Sequence, residues 1–289
     1  ERLFKGTELL MDFSTSIAVE RKLANDEQTF RRCTSFLNPK GDDVVLLIED
    51  KERNTRLDLL EMDYYRNLIV DERFSQHLEQ TETVRTNTFS CRSESMILNY
   101  ENVRVLSAII SKQIRKYYTS GQACLNIWHF DAEDGIVLSL PMTITNWHHE
   151  ALGGIQIYIS DAVEKEIQTM TATSPDKETG GCLFGSYDRD HNSIYVYYMI
   201  PAPKDSIHSP ISFVRGFNGL TTEYERITKL TYHQVRYLGE WHSHPNMPNT
   251  PSVTDKKQFE ELWKEQQSQD LPFVQMIYGN NGLFVTAAM

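Results

Sequence analysis

Two histidines separated by one residue follow a short strand-like run near the carboxyl end of the chain. His242 and His244 come directly after Arg236–Trp241. Because side chains of a strand alternate between its two faces, both imidazoles leave the same face and can reach one ion. Asp255 follows in the first turn of a predicted helix, from which its carboxylate can return to the pair. Two histidines and one carboxylate leave a fourth tetrahedral position open, which is the ligand set of a catalytic zinc site. His-x-His also recurs by chance in strands, so the pair alone does not distinguish a metal site from a chance occurrence.

Hydrolysis at such a site needs a base that carries a proton from water to the leaving group. We assign this shuttle to Glu178, because Gly180 and Gly181 beside it let a strand start approach the site closely. Ser252, three residues before Asp255, can donate its hydroxyl to an oxyanion. Each residue also has a simpler interpretation, Glu178 as an exposed loop carboxylate and Ser252 with Asp255 as a helix cap. The whole set favours the catalytic interpretation.

The combination of Glu178, the run His242–Pro245, Ser252 and Asp255 resembles the signature of the JAMM (MPN-plus) zinc metallopeptidases, and in particular their prokaryotic JAB-type members. In that family a glutamate precedes His-x-His, and the second histidine is followed by seven residues that begin with proline, then Ser, two residues and Asp. Here the seven residues are Pro245–Pro251. Every element is present at the expected spacing. The resemblance covers roughly residues 153–289, and it implies a cytidine-deaminase-like α/β domain over 150–289, with a curved sheet flanked by helices.

The resemblance also implies roles for these residues. His242, His244 and Asp255 would bind zinc, Glu178 would act as general base and then acid, and Ser252 would stabilise the tetrahedral intermediate. No ligand is substituted, so nothing here indicates an inactive scaffold. Family members cut the bond after the C-terminal glycine of a ubiquitin-like protein, and the expected partner is therefore such a protein or its conjugate.

In the family, segments between the glutamate and the His-x-His strand grip the ubiquitin-like tail. Here this points to the loop Pro203–Gly219, with Phe213 and Arg215 as substrate-binding candidates. An ordinary packed phenylalanine is the simpler interpretation of Phe213.

These residues must be positioned by regular elements, and the hydrophobic periodicity predicts a mixed α/β fold in two domains. The polar stretch Pro141–Ala151 is interpreted as an irregular boundary between residues 1–145 and 150–289. The first half is predicted to contain a helix over Thr15–Phe30, a strand at Val44–Ile48, a helix over Leu57–Val70, a long helix ending before Gly121, and a hairpin of Cys124–Phe130 with Gly135–Leu140.

The second half is predicted to start with a strand at Ile155–Tyr158 and a helix capped by Ser160. Further strands are expected at Gly181–Tyr187 and Ser193–Pro201, followed by a loop to Gly219, a helix to Val235, the strand Arg236–Trp241, a helix over Val253–Gln267, and strands at Phe273–Tyr278 and Leu283–Ala287.

The segments Leu9–Ser16 and Arg31–Pro39 look like the later part of a ThiF-type adenylating domain, the fold of ubiquitin-activating enzymes. This resemblance covers about residues 3–140 and rests on segment order. An adenylating domain needs a glycine-rich turn to hold phosphates, and the glycines before Gly135 are isolated. We therefore expect the nucleotide-binding half to be absent and this chain alone not to adenylate. Domains of this type commonly dimerise, which implies a homodimer through residues 1–145.

Cys91 stands before the long helix, about where activating enzymes carry their thioester cysteine, and Arg92 beside it favours the reactive thiolate. An unreactive free thiol is the simpler interpretation. Cys33, Cys124 and Cys182 lie in apolar contexts and are interpreted as packing residues. The scattered cysteines predict reduced thiols in a cytoplasmic protein without disulfides.

The chain has 289 residues with 29 Lys and Arg against 40 Asp and Glu, a net charge of −11. An acidic surface repels phosphate backbones, so nucleic acid is excluded as a partner. No run approaches the ~20 apolar residues that span a bilayer, and no secretory signal is present, so neither a membrane nor export is expected. Because the first residue is not Met, we expect a piece of something longer.

The most specific function that these features support is a zinc isopeptidase of a bacterial ubiquitin-like system, of the kind that serves antiphage defence. It would deconjugate a target or process a precursor. Two alternatives stay open: trimming of a sulfur-carrier protein in cofactor or cysteine biosynthesis, and a docking module whose metal only stabilises the fold. Zinc is the only cofactor implied.

Overall fold

The computed structural model describes residues 5–79 and 98–289. The chain is mixed α/β, which confirms the predicted fold class. It divides into two compact units, the first formed by residues up to Ile144 with Leu230–Tyr232 and the second by Thr145–Lys229 with His233–Met289. Within the two described ranges no helix is long and apolar enough to cross a membrane.

The first unit is built on one five-stranded sheet. Its elements are β1 (Leu9–Asp12), α1 (Ile17–Ala24), β2 (Arg31–Leu37), β3 (Asp43–Ile48), α2 (Leu57–Val70), a short 3-10 turn at Glu72–Phe74, α3 (Tyr100–Ser120), β4 (Cys124–Asp131) and β5 (Ile136–Pro141). The strand order is β1-β2-β3-β4-β5. β1 runs parallel to β2, and the other pairs are antiparallel.

The core of this unit lies between the sheet and α3. Leu106, Ile110 and Ile114 recur along one face of α3, as the helical spacing predicts, and they pack against alternate residues of β3 such as Leu46 and Ile48. α3 ends at Gly121, whose φ of 73° is the left-handed conformation that favours glycine at a helix end. The predicted stop of this helix is thus confirmed.

The helix predicted over Thr15–Phe30 is too long, because α1 ends at Ala24. The reason is Arg32, which is fully buried. Its guanidinium donates hydrogen bonds to the carbonyl oxygens of Asp26, Gln28 and Phe30. Carbonyls that point at one buried cation cannot also accept the bonds of a regular helix.

His77 is a buried histidine, of which only 4% is exposed. Its Nδ1 lies 2.6 Å from Asp43 Oδ2 and its Nε2 lies 3.0 Å from the Tyr64 hydroxyl. The other oxygen of Asp43 lies 2.8 Å from Nδ1 of His129. Burial raises the pKa of Asp43, but hydrogen bonds with His77 and His129 lower it by more, so the pKa stays below its ordinary value.

The second unit is built on a seven-stranded sheet. Its elements are β6 (Trp147–Leu152), β7 (Ile155–Ser160), α4 (Asp161–Thr173), β8 (Gly180–Asp188), β9 (Ser193–Pro201), β10 (Ile207–Ser209), β11 (Ser212–Val214), α5 (Leu220–Leu230), β12 (Arg236–Ser243), α6 (Val253–Gln267), β13 (Phe273–Gly279) and β14 (Gly282–Ala288). The order in the sheet is β14-β13-β12-β8-β9-β7-β6. The pairs β12–β13 and β7–β9 are parallel, and the others are antiparallel.

Helices lie on both faces of this sheet. Val163 and Ile167 of α4 pack with Trp241 of β12 and with Val274 and Met276 of β13 on one face. On the other face α6 packs against β13, where the rings of Phe259 and Phe273 lie 5.4 Å apart. The predicted sheet flanked by helices is present, and α6 has the predicted bounds.

β6 begins inside the stretch Pro141–Ala151 that we predicted to be irregular and ends one residue beyond it. It pairs antiparallel with β7 through the two-residue turn Gly153–Gly154, in which both φ angles are positive, 57° and 91°. Glycine adopts these angles at no steric cost, and they match the twist of a hairpin. β6 is an edge strand with no fully buried residue, so it lacks the apolar alternation that reveals a strand.

The loop after β9 contains the small hairpin of β10 and β11, which the sequence did not indicate. The helix after it ends at Leu230 instead of the predicted Val235. Tyr232 and His233 both take positive φ angles, 49° and 63°, which stop the helix.

Candidate active site

The structure brings His242, His244 and Asp255 together. His242 lies near the end of β12, His244 directly follows that strand, and Asp255 is in the first turn of α6. His242 Nε2 lies 3.2 Å from His244 Nε2 and 3.3 Å from Asp255 Oδ1, and His244 Nε2 lies 3.5 Å from Asp255 Oδ2. One ligand atom of each residue thus lies within 4.8 Å of the other two.

A bulge in β12 decides which side chains face this cluster. The register of β12 with β8 shifts between Tyr237 and Gly239. An extra residue reverses the alternation of side chains, so that Leu238 and Trp241 join the core on the α4 face and His242 faces the other way. A Cβ on Gly239 would lie 1.8 Å from the carbonyl oxygen of Val274, so only glycine fits at the bulge.

Hydrogen bonds outside the cluster orient its members. His244 Nδ1 lies 3.0 Å from the carbonyl oxygen of Pro248. A carbonyl only accepts, so Nδ1 carries the hydrogen and the lone pair of Nε2 points into the cluster. Asp255 Oδ2 accepts a bond of 2.6 Å from the Ser252 amide. Burial raises the pKa of Asp255, but hydrogen bonds from His242 and Ser252 hold it well below its ordinary value.

The donor set fits a metal ion. Two imidazole nitrogens and one carboxylate oxygen converge from buried side chains, each at most 9% exposed. Nitrogen and oxygen donors in this combination are ligands of first-row divalent metals. A second group, Asp42, Asp43 and His129, also has ligand atoms within 4.8 Å of one another. There, however, both Asp43 oxygens are already bonded to imidazoles, so we interpret that group as a hydrogen-bond network.

Glu178 lies beside the metal-ligand cluster, two residues before the start of β8 at Gly180. It is only 6% exposed, and it lines a cleft of about 450 Å³ together with His242, His244, Asp255 and Ser252. Burial raises the pKa of Glu178, the two histidines lower it, Asp255 raises it further, and the net result lies above the ordinary value. The exposed loop carboxylate of the simpler interpretation is therefore not what the structure shows.

The glycines after Glu178 allow the close approach that we predicted. A Cβ on Gly180 would lie 2.4 Å from the carbonyl oxygen of Trp241, and one on Gly181 would lie 2.3 Å from that of Ile200. Both distances are far too short for a methyl group. β8 can therefore lie this close to β12 at Gly180, and to β9 at Gly181, only without side chains. The close approach to β12 places Glu178 next to the histidine strand.

Ser252 caps α6 as the simpler interpretation predicts. Its hydroxyl oxygen accepts a bond of 3.2 Å from the Asp255 amide, and its own amide donates to the Asp255 carboxylate. This reciprocal pair is a capping box. The hydroxyl hydrogen is not used by the cap, and Ser252 lines the cleft, so a catalytic role is compatible with the cap.

Phe213 and Arg215, the predicted substrate contacts, differ in their surroundings. Phe213 lies in β11 and lines the cleft, with its ring 5.3 Å from that of His208. Arg215 Nε donates a bond of 2.8 Å to Oε1 of Glu240, a buried residue of β12. Arg215 thus has a partner within the chain, and substrate binding by either residue stays a prediction.

Three of the four cysteines are free, buried thiols. Burial raises the pKa of Cys33 and Cys182 to about 12 and that of Cys124 to about 11. These thiols stay protonated near neutral pH, which confirms the interpretation as packing residues. Cys91, the candidate thioester nucleophile, lies outside the residues that the structure describes.

Sequence reasoning missed two residues that hold Glu178 and its neighbour in place. Ser243 Oγ accepts a bond of 3.0 Å from the Thr179 amide, and the Ser243 amide donates to the Thr179 carbonyl oxygen at 2.8 Å. His208 Nδ1 lies 2.8 Å from the Glu178 carbonyl oxygen. The position of Ser243 between the two histidines could have indicated a structural role, because strand alternation turns its side chain away from the metal-ligand cluster. His208 gave no such signal.

Comparisons with known proteins identify a family for the second half of the chain. Residues 160–286 match the family described as prokaryotic homologs of the JAB domain. The chain is similar to a CD-NTase/cGAS isopeptidase of Pseudomonas aeruginosa (strain BWHPSA011 / Pa011), 30% identical over 122 residues, which is 41% of this chain and 73% of that protein. A CD-NTase/cGAS isopeptidase of Enterobacter hormaechei subsp. hoffmannii (strain UCI 50) is 29% identical over 125 residues, 43% of this chain and 68% of that protein.

A third relative is named probable metalloprotease y4qB, from Sinorhizobium fredii (strain NBRC 101917 / NGR234). It is 29% identical over 102 residues, which is 35% of this chain and 62% of that protein. The family match contains Glu178, Ser252 and the three members of the metal-ligand cluster. Residues 1–145 lie outside it, so their resemblance to activating enzymes stays a prediction. The predicted relationship of the second half is confirmed, and the chain belongs to the family of prokaryotic JAB-domain proteins.

Proposed function

We propose that the chain is a zinc-dependent isopeptidase that hydrolyses the bond between a ubiquitin-like tail and its target. One observation carries this proposal: three metal-ligand atoms within 4.8 Å of one another share a cleft with a buried glutamate and a serine hydroxyl. Together these are the parts that metal-assisted amide hydrolysis needs, namely ligands, a base and an oxyanion donor. The names of the relatives, two isopeptidases and a probable metalloprotease, support the same reaction class.

His242, His244 and Asp255 are the residues that would hold the ion. When bound, zinc supplies a Lewis acid that activates water and polarises the scissile carbonyl. Because these three residues leave a further coordination position open, such an ion is of the catalytic rather than the structural kind.

Glu178 takes the proton from the attacking water and returns it to the leaving amine. A general base works best when its pKa lies near the working pH, and burial raises the pKa of Glu178 towards that range. Ser252 donates its hydroxyl hydrogen to the oxyanion that develops on the attacked carbonyl.

The substrate that we propose is a protein conjugate of a bacterial CD-NTase system. Two relatives carry the name CD-NTase/cGAS isopeptidase, and the chain covers 73% and 68% of their lengths. We extend the proposal to a role in bacterial defence and to the ubiquitin-like partner that the sequence resemblance implies. Phe213 lines the cleft, and we assign it to binding of the ubiquitin-like tail. Arg215 would contact the tail while it stays hydrogen-bonded to Glu240.

The test uses two substrates and the zinc-loaded full chain. One substrate is a ubiquitin-like protein fused through its C-terminal glycine to a fluorescent reporter, and the other is a CD-NTase joined to a second protein by an isopeptide bond. We expect cleavage of at least one, loss of cleavage on chelation, and recovery when zinc is returned. Cleavage that persists after the metal has been removed would contradict the proposal.

The variant Glu178→Gln separates catalysis from docking. It keeps the size of the side chain but removes the base, so cleavage should fall by about 10²–10⁴-fold while zinc content stays that of the unaltered chain. Glu261→Gln, on the exposed side of α6, is the matched control and should cleave normally. If Glu178→Gln cleaves at the normal rate, Glu178 is not the base. If the unaltered chain binds conjugates without cutting them, it is the docking module of the alternative hypothesis.

A further inference from the structure

The β10–β11 hairpin is bonded directly to the main chain of Glu178. His208 Nδ1 donates a bond of 2.8 Å to the Glu178 carbonyl oxygen, since a carbonyl can only accept. The Glu178 amide in turn donates a bond of 2.8 Å to the Ser209 carbonyl oxygen. The main-chain N–H and C=O of Glu178 are thus both occupied by two consecutive residues of β10.

The hairpin also packs closely on the segment that follows Glu178. The ring of Phe213 reaches the backbone of Gly180 so closely that a Cβ there would lie 2.5 Å from its Cε1 atom. The same ring lies 5.3 Å from that of His208. The hairpin therefore meets residues 178–180 through a side-chain hydrogen bond, a main-chain hydrogen bond and an aromatic contact.

The hairpin presents apolar side chains to solvent. Ile207, Ile211 and Val214 are 64%, 81% and 56% exposed. Exposed apolar side chains grouped on one element mark a surface that another protein covers. Ile211 and Phe213 also line the cleft that contains Glu178, so a protein whose tail enters the cleft must contact the hairpin.

We propose that His208 is a positioning residue for Glu178. Through its bond to the Glu178 main chain, His208 links a protein substrate seated on the β10–β11 hairpin to the Glu178 carboxylate in the cleft. This inference rests on the proposed function. The direction of a carboxylate follows from the dihedral angles of its own residue, and His208 fixes the Glu178 peptide on its carbonyl side. Ser243 holds the next residue, Thr179, to the strand of the histidines. Glu178 is therefore aligned between the substrate-contacting hairpin and the metal-ligand strand.

The test compares His208→Leu, which removes the donor, with His208→Asn, whose side-chain amide can place an N–H where Nδ1 stands. In His208→Leu we expect kcat for the fluorescent fusion to fall by about ten- to a hundredfold with little change in KM, as for a misplaced catalytic group. His208→Asn should recover most of this loss. His148→Leu, at an exposed histidine of the edge strand β6, is the control and should behave like the unaltered chain.

A second readout does not depend on activity. Hydrogen exchange of the Glu178 amide should be at least about tenfold faster in His208→Leu than in the unaltered chain and should return towards normal in His208→Asn, with unchanged zinc content in all variants. Unchanged exchange in His208→Leu overturns the proposal, and so does a His208→Asn variant that is as slow in kcat as His208→Leu. If the unaltered chain cleaves neither substrate, the proposed function fails, and the exchange result still decides whether His208 holds Glu178.

Discussion

Ser243 holds Thr179 by two hydrogen bonds, one from the Thr179 amide to its hydroxyl oxygen and one from its own amide to the Thr179 carbonyl oxygen. Ser243 stands between the two histidines of the metal-ligand cluster, and Thr179 follows Glu178. The pair therefore fixes the distance between the strand that would bind the metal and the residue that would move the proton. Ser243 has no exposed surface, so water cannot replace its hydroxyl.

We expect Ser243→Ala to lower both stability and activity. It leaves the buried Thr179 amide without a partner, which costs about 1–3 kcal/mol in the free energy of unfolding. Cleavage should fall by about tenfold or more because Glu178 loses its alignment, whereas zinc content should stay normal. Urea unfolding, steady-state kinetics and metal analysis check the three parts. Ser268→Ala, at an exposed serine after α6, is the control, and an unchanged kcat in Ser243→Ala would contradict the positioning role.

Asp255→Asn should separate the helix cap from metal binding. An asparagine oxygen can still accept from the Ser252 amide, so the metal-free chain should keep nearly its normal free energy of unfolding. Loss of a residue that only hydrogen-bonds to a metal ligand lowers metal affinity by ~10–100-fold. Zinc affinity should fall by more than this in Asp255→Asn, because a negatively charged ligand becomes neutral. Calorimetric titration with zinc measures the affinity. Asp270→Asn, at an exposed carboxylate, is the control, and normal zinc affinity in Asp255→Asn would remove Asp255 from the ligand set.

Two substitutions of Ser252 distinguish its roles. Ser252→Ala loses the cap and the hydroxyl, so it should lose about 1 kcal/mol in the free energy of unfolding as well as activity. Ser252→Gly keeps most of the cap energy and has no side-chain donor, so the free energy of unfolding should change by only about a few tenths of a kcal/mol while kcat falls by about 10²–10³-fold. Thermal unfolding and kinetics on the fluorescent fusion give both values. Normal kcat in Ser252→Gly would leave Ser252 with the cap alone.

The buried Asp43 predicts a pH-dependent contribution to stability. Its folded-state pKa lies below the ordinary value of 3.8, so the carboxylate stabilises the fold above that pH, and the contribution is lost as the pH falls through the folded-state pKa. Asp43→Asn should lower the free energy of unfolding by about 1–3 kcal/mol at pH 7. The difference from the unaltered chain should shrink as the pH is lowered below 4. Urea unfolding over this range tests it, with the exposed Asp134→Asn as control, and a difference independent of pH would be the contrary result.

The sequence predicted those parts of the fold whose signals are local. α6 has its predicted bounds because Ser252 and Asp255 form the capping box that starts it. The first turn of α4 likewise begins at the cap Ser160. α1 was predicted too long because the cause of its end is Arg32, a residue that binds the preceding loop only after burial. β6 was missed because an exposed edge strand has no apolar alternation.

The same distinction holds for the candidate site. His242 and His244 could be placed on one face by alternation alone, and Glu178 could be recognised by the glycines that follow it. The bond between His208 and Glu178 joins residues 30 positions apart, and it depends on a hairpin whose two strands have three residues each and no hydrophobic pattern of their own. Contacts of that kind arise from tertiary packing and leave no trace in local periodicity.

The bulge at Gly239 lets β12 supply both the core and the candidate site. Leu238 and Trp241 are three residues apart, yet both belong to the core on the α4 face, because the bulge adds one residue that has no counterpart in β8. Strict alternation over the same residues would put Leu238 and Trp241 on opposite faces of the sheet. A side chain at position 239 would therefore set core packing and the direction of the imidazoles against each other, since its Cβ would collide with the carbonyl oxygen of Val274.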